Sequence, residues 1–220
     1  MYINRHFYHL CCFFFKNLRG VLYMEKKTDR RVRKTKAQLR AGLAKLMQTK
    51  SIKEITVKEL VDEVDINRST FYLHYTDIYQ MLESIEDELE GEINQIVNNH
   101  PVDSYYKESF PMIKEILEVL WDNRDICNAL LGSNGDMAFV LRMESIISQH
   151  SLHVLTTTFA TDVTNIKYAY AFCLTGCVGM VKSWLESGDT TDTPLQMAEL
   201  TYHLIMNALK DIKRLPSTTL

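Results

Sequence analysis

The sequence predicts an all-α protein in which a small basic module precedes a longer helical bundle. Apolar residues recur at steps of three and four along most of the chain, which is the period of an amphipathic helix. Gly and Pro account for only 8 and 4 of 220 residues, which disfavours loop-rich and β-sandwich folds. Residues 24–76 carry 13 Lys and Arg against 7 Asp and Glu, whereas residues 77–220 carry 9 against 21. This asymmetry predicts a polyanionic partner for the first part and a different role for the second.

The first 23 residues differ in composition from the rest of the chain. Residues 1–23 are aromatic and contain no acidic residue, and their apolar run from Leu10 to Phe15 is too short for a secretory signal. Because Met24 stands directly before the basic segment, we predict that residues 1–23 are a non-native or disordered extension. A membrane-contacting anchor is the alternative if translation begins at Met1. No uncharged stretch reaches the roughly 18 residues of a membrane span, so we expect a cytoplasmic protein.

A first helix is predicted over residues 31–48, where Leu39, Leu43 and Leu46 recur at helical spacing. Its other face carries the cations Lys34, Lys36, Arg40 and Lys45. A charged helix face is often merely solvated. Here the one-sided excess of cations favours a surface that contacts phosphates.

A short second helix and a tight turn follow. Thr56 and Glu59 have the spacing of a capping box, in which the threonine hydroxyl accepts a backbone hydrogen bond and the glutamate reaches back to the cap. The apolar positions behind this cap keep helical spacing: Val57, Leu60, Val61 and Val64. The run Asp65-Ile66-Asn67 then interrupts the pattern, because Asp tolerates left-handed backbone geometry and Asn is a good N-cap.

A third short helix is predicted from Arg68 to about Tyr75, with Phe71 as its core anchor and Thr76 as the cap of the next helix. Its outward-facing polar residues are Arg68, Ser69, Thr70, Tyr72 and His74. Two short helices joined by a tight turn behind a stabilising helix are typical of a helix-turn-helix. A helical hairpin inside a bundle needs no polar tip, so the pattern favours binding in the major groove of DNA.

The run ITVKELVDEVDINRSTFYLHYTDIYQML resembles the DNA-binding domain of the TetR/AcrR family of transcriptional regulators, and the resemblance covers residues 35–82. The segment from Phe71 to Tyr75 matches the aromatic signature of that family's recognition helix. The resemblance implies that Tyr72 contacts a phosphate and that Thr56 caps the second helix. From the charges and the resemblance together we predict these DNA-binding residues: Lys34, Lys36, Thr56, Lys58, Asn67, Arg68, Ser69, Thr70, Tyr72, His74 and Tyr75.

Two positions depart from the family's pattern. Asp65 replaces the glycine that is usual in the turn, and its left-handed tolerance makes the replacement acceptable. Ile78 aligns with a lysine that usually binds phosphate at the start of the fourth helix. Without this lysine we expect operator binding that is weaker or more sensitive to salt, and an Ile78→Lys variant is the direct test that the sequence suggests.

Residues 77–220 are predicted to form an acidic helical body, while residues 24–76 form the helix-turn-helix domain. The predicted helices run over residues 77–98, 110–123, 125–131, 136–159, 168–186 and from 194 onward, with a turn at 132–135. This body resembles the regulatory and dimerisation domain of the same family, by architecture more than by motif. The resemblance implies a homodimer through segments 166–187 and 194–213, and two recognition helices that read a palindromic operator.

The same resemblance implies a pocket for a small-molecule effector in the body. The candidate ligand-binding residues are Tyr106, Phe110, Trp121, Phe139, Met143, Tyr170 and Cys173. Each of them is as well explained by ordinary core packing, because aromatic and Met side chains at helical spacing fill any helical bundle.

The sequence therefore predicts a dimeric, sequence-specific regulator of transcription, a repressor that a small-molecule effector releases from DNA. Catalytic motifs are absent, including a phosphate-binding glycine loop and a nucleophile elbow, so we expect no enzymatic activity. The five cysteines lack metal-ligand spacing and are expected to be reduced, without a metal or cofactor. The alternative function is a TetR-like co-regulator that binds a protein partner instead of DNA.

Overall fold

The computed structural model describes residues 30–100, 105–158, 163–187 and 192–212, and these ranges are helical with no strand among them. Their helices in chain order are α1 (residues 30–47), α2 (Val57–Glu63), α3 (Arg68–Tyr72), α4 (Ile78–Asn99), α5 (Tyr105–Asp122), α6 (Arg124–Leu131), α7 (Met137–Thr158), α8 (Val163–Glu186) and α9 (Pro194–Ile212). The all-α class predicted from the sequence is confirmed. The predictions for residues 1–23 lie outside the described residues.

Local capping explains where the two short helices α2 and α3 begin. The Thr56 hydroxyl accepts from the Glu59 N–H at 3.2 Å, and Asn67 Oδ1 accepts from the Ser69 N–H at 2.9 Å. Asp65 lies between these helices at φ 52°, which confirms the left-handed turn predicted there. The caps therefore fix where α2 and α3 begin, and the left-handed Asp65 provides the tight turn between them.

Two capping predictions need correction. The Glu59 carboxylate pairs with Lys50 Nζ and does not return to the Thr56 N–H, so only half of the predicted capping box forms. The cap of α4 is Asp77, whose Oδ1 accepts from the Gln80 N–H at 2.8 Å, and not Thr76. In the first case the Lys50 ammonium is a stronger partner for Glu59 than a backbone N–H is. In the second case the Asp77 carboxylate is a stronger acceptor at the helix N-terminus than the Thr76 hydroxyl is.

α4 connects the helix-turn-helix to the rest of the molecule through one continuous buried cluster. At its start Ile78 and Met81 are 3% and 0% exposed and pack with Phe71 of α3 in this cluster. The same cluster extends to Leu117 of α5 and Trp184 of α8. The predicted boundary between two domains at residues 76 and 77 remains a prediction. Buried side chains of one cluster lie on both sides of it.

The bundle behind α4 is closed mainly by α5, α8 and α9, which pack against one another. Trp121 of α5 stacks on Trp184 of α8 with ring centroids 4.8 Å apart. Phe110 of α5 meets Tyr202 of α9 edge to face at 5.7 Å. Among the residues the structure describes, no helix combines the length and apolar character that a membrane crossing requires.

α1 and α2 approach each other closely at Gly42, which is buried in α1. A Cβ atom at this position would lie 2.3 Å from Val64 Cγ1 and 3.1 Å from Leu60 Cδ1. Val64 has a branched, stiff side chain that cannot move aside freely. The glycine therefore sets the distance at which α1 supports the helix-turn-helix.

We predict that Gly42→Ala lowers the free energy of unfolding. Overpacking of this kind costs about 1–3 kcal/mol, which exceeds the gain in helix propensity of about 1 kcal/mol. Gly91→Ala is the matched control, because Gly91 is exposed in α4 with no atom within 4 Å of the added Cβ, and it should stabilise by about 0.5–1 kcal/mol. Urea denaturation at one protein concentration measures both. Equal stabilisation by the two substitutions contradicts the close approach at Gly42.

Candidate DNA-binding surface and effector cavity

α3 presents a short polar surface on an apolar anchor. Phe71 is fully buried beneath it, while Tyr72 is 47% exposed and contacts the Phe71 ring edge to face at 5.4 Å. Asn67 accepts from both the Ser69 N–H and the Ser69 hydroxyl, the latter at 2.8 Å. The start of the helix is thus rigid, and a rigid element positions contact groups more precisely than a loop does.

Arg68 and Tyr72 form one unit on this surface. Arg68 Nη2 donates to the Tyr72 hydroxyl oxygen at 3.1 Å, and the guanidinium carbon lies 5.6 Å from the centroid of the tyrosine ring. Since the tyrosine oxygen accepts from Arg68, its own proton remains available for donation to an acceptor such as a phosphate oxygen. The guanidinium keeps further N–H donors for a second acceptor.

The predicted DNA-binding residues separate by exposure. Those exposed are Lys34, Thr56, Lys58, Asn67, Arg68, Ser69 and Tyr72, and those half-buried are Lys36, Thr70 and His74. Tyr75 corrects the prediction, because it is only 5% exposed and belongs to the core, where its ring packs on Phe71 at 5.8 Å. Lys36 Nζ lies 5.7 Å from the centroid of the Tyr75 ring, so Tyr75 positions a cation at this surface.

Ion pairing divides the basic face of α1. Arg40 pairs with Glu88 of α4 at 3.4 Å, and Lys45 pairs with Glu63 of α2. Lys34 lies one to two turns before Arg40 and has no ion pair with any described residue. The cations in the second half of α1 are therefore paired within the module, whereas Lys34 in its first half is exposed.

The structure also locates residues that the sequence prediction handled poorly. Leu73 is 80% exposed directly after α3, and Tyr79 is 56% exposed at the start of α4. The sequence does not predict the exposure of either residue, because each is a single apolar side chain among polar neighbours. Ile78 is buried in the core at 3% exposure, so a lysine there would place a charge in the core and would not test a phosphate contact.

A cavity of about 190 Å³ lies in the bundle and is lined by residues of α4, α5, α6, α7, α8 and α9. Of the predicted ligand-binding residues, Phe139, Met143, Tyr170 and Cys173 line it. Phe110 and Trp121 do not, because their rings are engaged by Tyr202 and Trp184 in the aromatic pairs described above. The side chain of Tyr106 lies outside the described residues.

Comparison with known proteins shows which fold contains the α3 surface and the cavity. Residues 107–207 match the model of a TetR-type family described as "Transcriptional regulator C-terminal region". Residues 107–207 therefore form the C-terminal region of a TetR-type transcriptional regulator. No curated protein sequence matches the chain.

Two solved structures share the fold of this TetR-family regulator. One is a TetR transcriptional regulator from Streptococcus agalactiae 2603V, with 21% sequence identity, a TM-score of 0.52, and coverage of 83% of this chain and 97% of that one. The other is the dihydroxyacetone kinase operon activator DhaS, with 14% identity, a TM-score of 0.51, and coverage of 81% and 97%. At these identities the likeness is one of fold.

In this TetR-family regulator an ion-pair cluster joins α4 to α7 beside the cavity. Arg142 Nη2 donates to Glu86 Oε2 at 2.6 Å, and its Nε lies 3.4 Å from Glu90 Oε2. Glu86 is only 4% exposed, and its burial raises the pKa of the carboxyl group; the hydrogen bond from Arg142 opposes this rise without cancelling it. Because Ile93 of α4 and Met143 of α7 both line the cavity, the cluster links the cavity wall to the helix behind the recognition helix.

We predict that the stability difference between wild type and Glu86→Gln depends on pH. The folded protein holds the Glu86 proton more tightly than the unfolded chain. The contribution of Glu86 is therefore fully present below the ordinary carboxyl pKa and is lost as pH rises through the raised pKa. As pH rises above the ordinary carboxyl range at about pH 4, the wild type should lose stability relative to Glu86→Gln. Urea denaturation at a series of pH values measures the difference, and a difference that stays constant or moves the other way contradicts the assignment.

Proposed function

We propose that this chain is a homodimeric, sequence-specific DNA-binding regulator, a repressor that a small-molecule effector releases from its operator. The observation that carries the proposal is the Arg68–Tyr72 unit on the exposed face of α3, capped by Asn67 and anchored by Phe71. A guanidinium and a phenol held side by side on a rigid helix are donors suited to phosphate and base edges. Lys34, which is exposed on α1 and has no ion pair with any described residue, supplies a further cation for phosphate contact. The proposal includes no catalytic step.

Dimer formation is supported by an apolar face on α8 and α9. Tyr168 and Phe172 of α8 are 73% and 75% exposed, and Leu200 and Leu204 of α9 are 48% and 56% exposed. Each pair is spaced by four residues, so each forms a stripe along one helix face. Contiguous exposed apolar surface of this kind marks an interaction site, and the predicted segments 166–187 and 194–213 contain all of it. In a two-fold dimer the same face covers itself.

The proposed release mechanism is a shift in population between two arrangements of the dimer. An effector in the cavity contacts α7 and the later part of α4, and α4 continues directly from the recognition module. An effector shifts the equilibrium toward the arrangement that it binds more tightly. The size of the shift is limited by the ratio of its affinities for the two arrangements. If the favoured arrangement spaces the two α3 helices wrongly for the operator, the effector releases the protein from DNA.

We predict that Tyr72→Ala reduces operator binding to the level of non-specific DNA, because it removes both the phenol and the group that orients Arg68. Tyr72→Phe retains the contact with Phe71 and loses only the hydroxyl, so its affinity should fall by about tenfold. Fluorescence anisotropy with a selected operator measures both variants, and analytical ultracentrifugation checks that each remains dimeric. Unchanged operator affinity in Tyr72→Ala contradicts the role given to α3.

We predict that Phe172→Glu converts the dimer to a monomer and thereby weakens operator binding. A charge placed on the self-associating face is buried against its own copy, where repulsion and desolvation act together. Leu141→Glu is the matched control, because Leu141 is 58% exposed on α7 and lies outside the predicted dimer segments 166–187 and 194–213. Sedimentation velocity distinguishes the two variants. A Phe172→Glu protein that stays dimeric would place the interface elsewhere.

A further inference from the structure

The wall of the cavity offers a ligand almost only apolar surface. Aliphatic, aromatic and sulfur-containing side chains form most of it, among them Ile93, Leu117, Phe139 and Val181. The described lining residues include no Lys, Arg or His that could pair with a ligand anion. An anion that enters such a site loses its water and gains no partner of opposite charge, so the wall disfavours carboxylates and phosphates.

The hydroxyl groups of the lining residues leave this apolar character unchanged. The Ser109 and Tyr170 oxygens each have less than 1 Å² of accessible surface, so a ligand in the cavity cannot contact them. The Thr201 hydroxyl donates to the Met197 carbonyl at 2.6 Å, so its proton is already used. A hydroxyl or amide group on a ligand would give up hydrogen bonds to water and find few partners in this wall, which is unfavourable.

Glu144 of α7 is the one acidic residue among the described lining residues. It is half-buried and so keeps contact with solvent. Attraction between charges is weak where solvent reaches them. Glu144 therefore does not offset the cost of moving a ligand cation from water into an apolar cavity, and the wall disfavours cations as well as anions.

The volume of the cavity sets the size of the ligand. About 190 Å³ is somewhat larger than the roughly 150 Å³ of an apolar cavity that accommodates benzene. In proportion, the cavity holds a molecule of about eight non-hydrogen atoms. Three methionines line it, Met112, Met143 and Met206, and their flexible side chains can adapt to the outline of such a molecule.

We propose that the cavity binds an uncharged, hydrocarbon-like molecule of about eight non-hydrogen atoms that carries no ionised or strongly hydrogen-bonding group. Such a ligand gives up no hydrogen bonds to water, and its transfer into the cavity removes apolar surface from water. It would contact Ile93 of α4 and Met143 of α7, which belong to the two helices joined by the Glu86–Arg142 pair. This inference rests on the proposed function in taking the ligand as the effector, but the binding itself is independent of DNA.

Three probes test the proposal on the full chain by isothermal titration calorimetry at pH 7: ethylbenzene, benzyl alcohol and benzylamine. They share a phenyl ring and the same number of non-hydrogen atoms, and they end in a methyl, a hydroxyl and a positively charged ammonium group. We expect ethylbenzene to bind about tenfold more tightly than benzyl alcohol, because the alcohol buries a hydroxyl without a partner, and benzylamine to show no binding. The binding of ethylbenzene should become more exothermic as temperature rises, since burial of apolar surface lowers the heat capacity.

Two results overturn the proposal at this stage. One is a failure of ethylbenzene to bind. The other is binding of benzyl alcohol or benzylamine with an affinity equal to or greater than that of ethylbenzene, because the site would then contain a polar or charged partner for the ligand.

A pair of matched variants shows whether the probe occupies the cavity. Phe139→Leu enlarges the cavity, so it should raise the ratio of butylbenzene affinity to ethylbenzene affinity by about fivefold. Phe110→Leu is the control, because Phe110 packs on Tyr202 and does not line the cavity, and it should leave the ratio unchanged. A ratio within one variant is independent of any partial loss of folded protein. An unchanged ratio in Phe139→Leu, or an equal change in both variants, overturns the proposal.

A second readout separates the ligand class from the proposed function. Ethylbenzene should weaken operator binding by the wild type, while benzylamine at the same concentration should not. If ethylbenzene binds in the cavity without affecting operator binding, the ligand class stands and its role as effector is wrong. If operator binding responds to a charged compound while ethylbenzene does not bind, the regulator stands and the ligand class is wrong.

Discussion

The position of α4 is the constraint on which the other features depend. Its first turns complete the core of the DNA-binding module, where Ile78 and Met81 are buried with Phe71. Its later turns contribute Ile93 to the cavity wall and Glu86 to the cluster with Arg142 of α7. A close-packed helix moves as a unit, because its side chains cannot slide past their neighbours without loss of packing. We therefore expect a change in the separation of α4 and α7 to alter the position of α3.

Charge is sorted by role along the N-terminal module. Arg40, Lys45 and Lys50 are paired with carboxylates of α4 and α2, so their charges are offset within the module. Arg68 is held by the Tyr72 hydroxyl, a neutral group that leaves the full charge available. The number of cations in the module is therefore larger than the number available to contact DNA. Arg68 on α3 is among those available. Exposed ion pairs of this kind contribute little individually to stability.

Local sequence features predicted the fold and the recognition helix well. Helical periodicity, the Thr56 and Asn67 caps and the left-handed Asp65 depend on neighbours a few residues away, and each is found where it was expected. Features that depend on distant contacts were not predictable. The burial of Tyr75 follows from its packing on Phe71 beneath α1, and periodicity alone does not separate an aromatic ring in the core from one at the surface.

The cavity shows the same limit. Phe139 and Met143 line it while Phe110 and Trp121 do not, and the difference lies in the partners Tyr202 and Trp184, more than 60 residues away along the chain. The Glu86–Arg142 pair likewise joins residues 56 positions apart. No spacing rule connects such residues, so these contacts required the three-dimensional structure.

The most direct test of the account is selection of bound fragments from random DNA, followed by measurement of affinity for the best fragment across salt concentrations. A dimeric reader of DNA should enrich a palindrome whose half-sites lie about 34–36 Å apart, or a multiple of this distance. Its affinity should fall steeply and linearly on a logarithmic scale as salt increases, because phosphate contacts release counterions. Absence of any enriched sequence, or binding that is weak and independent of sequence, would contradict the account and favour a co-regulator that binds a protein partner.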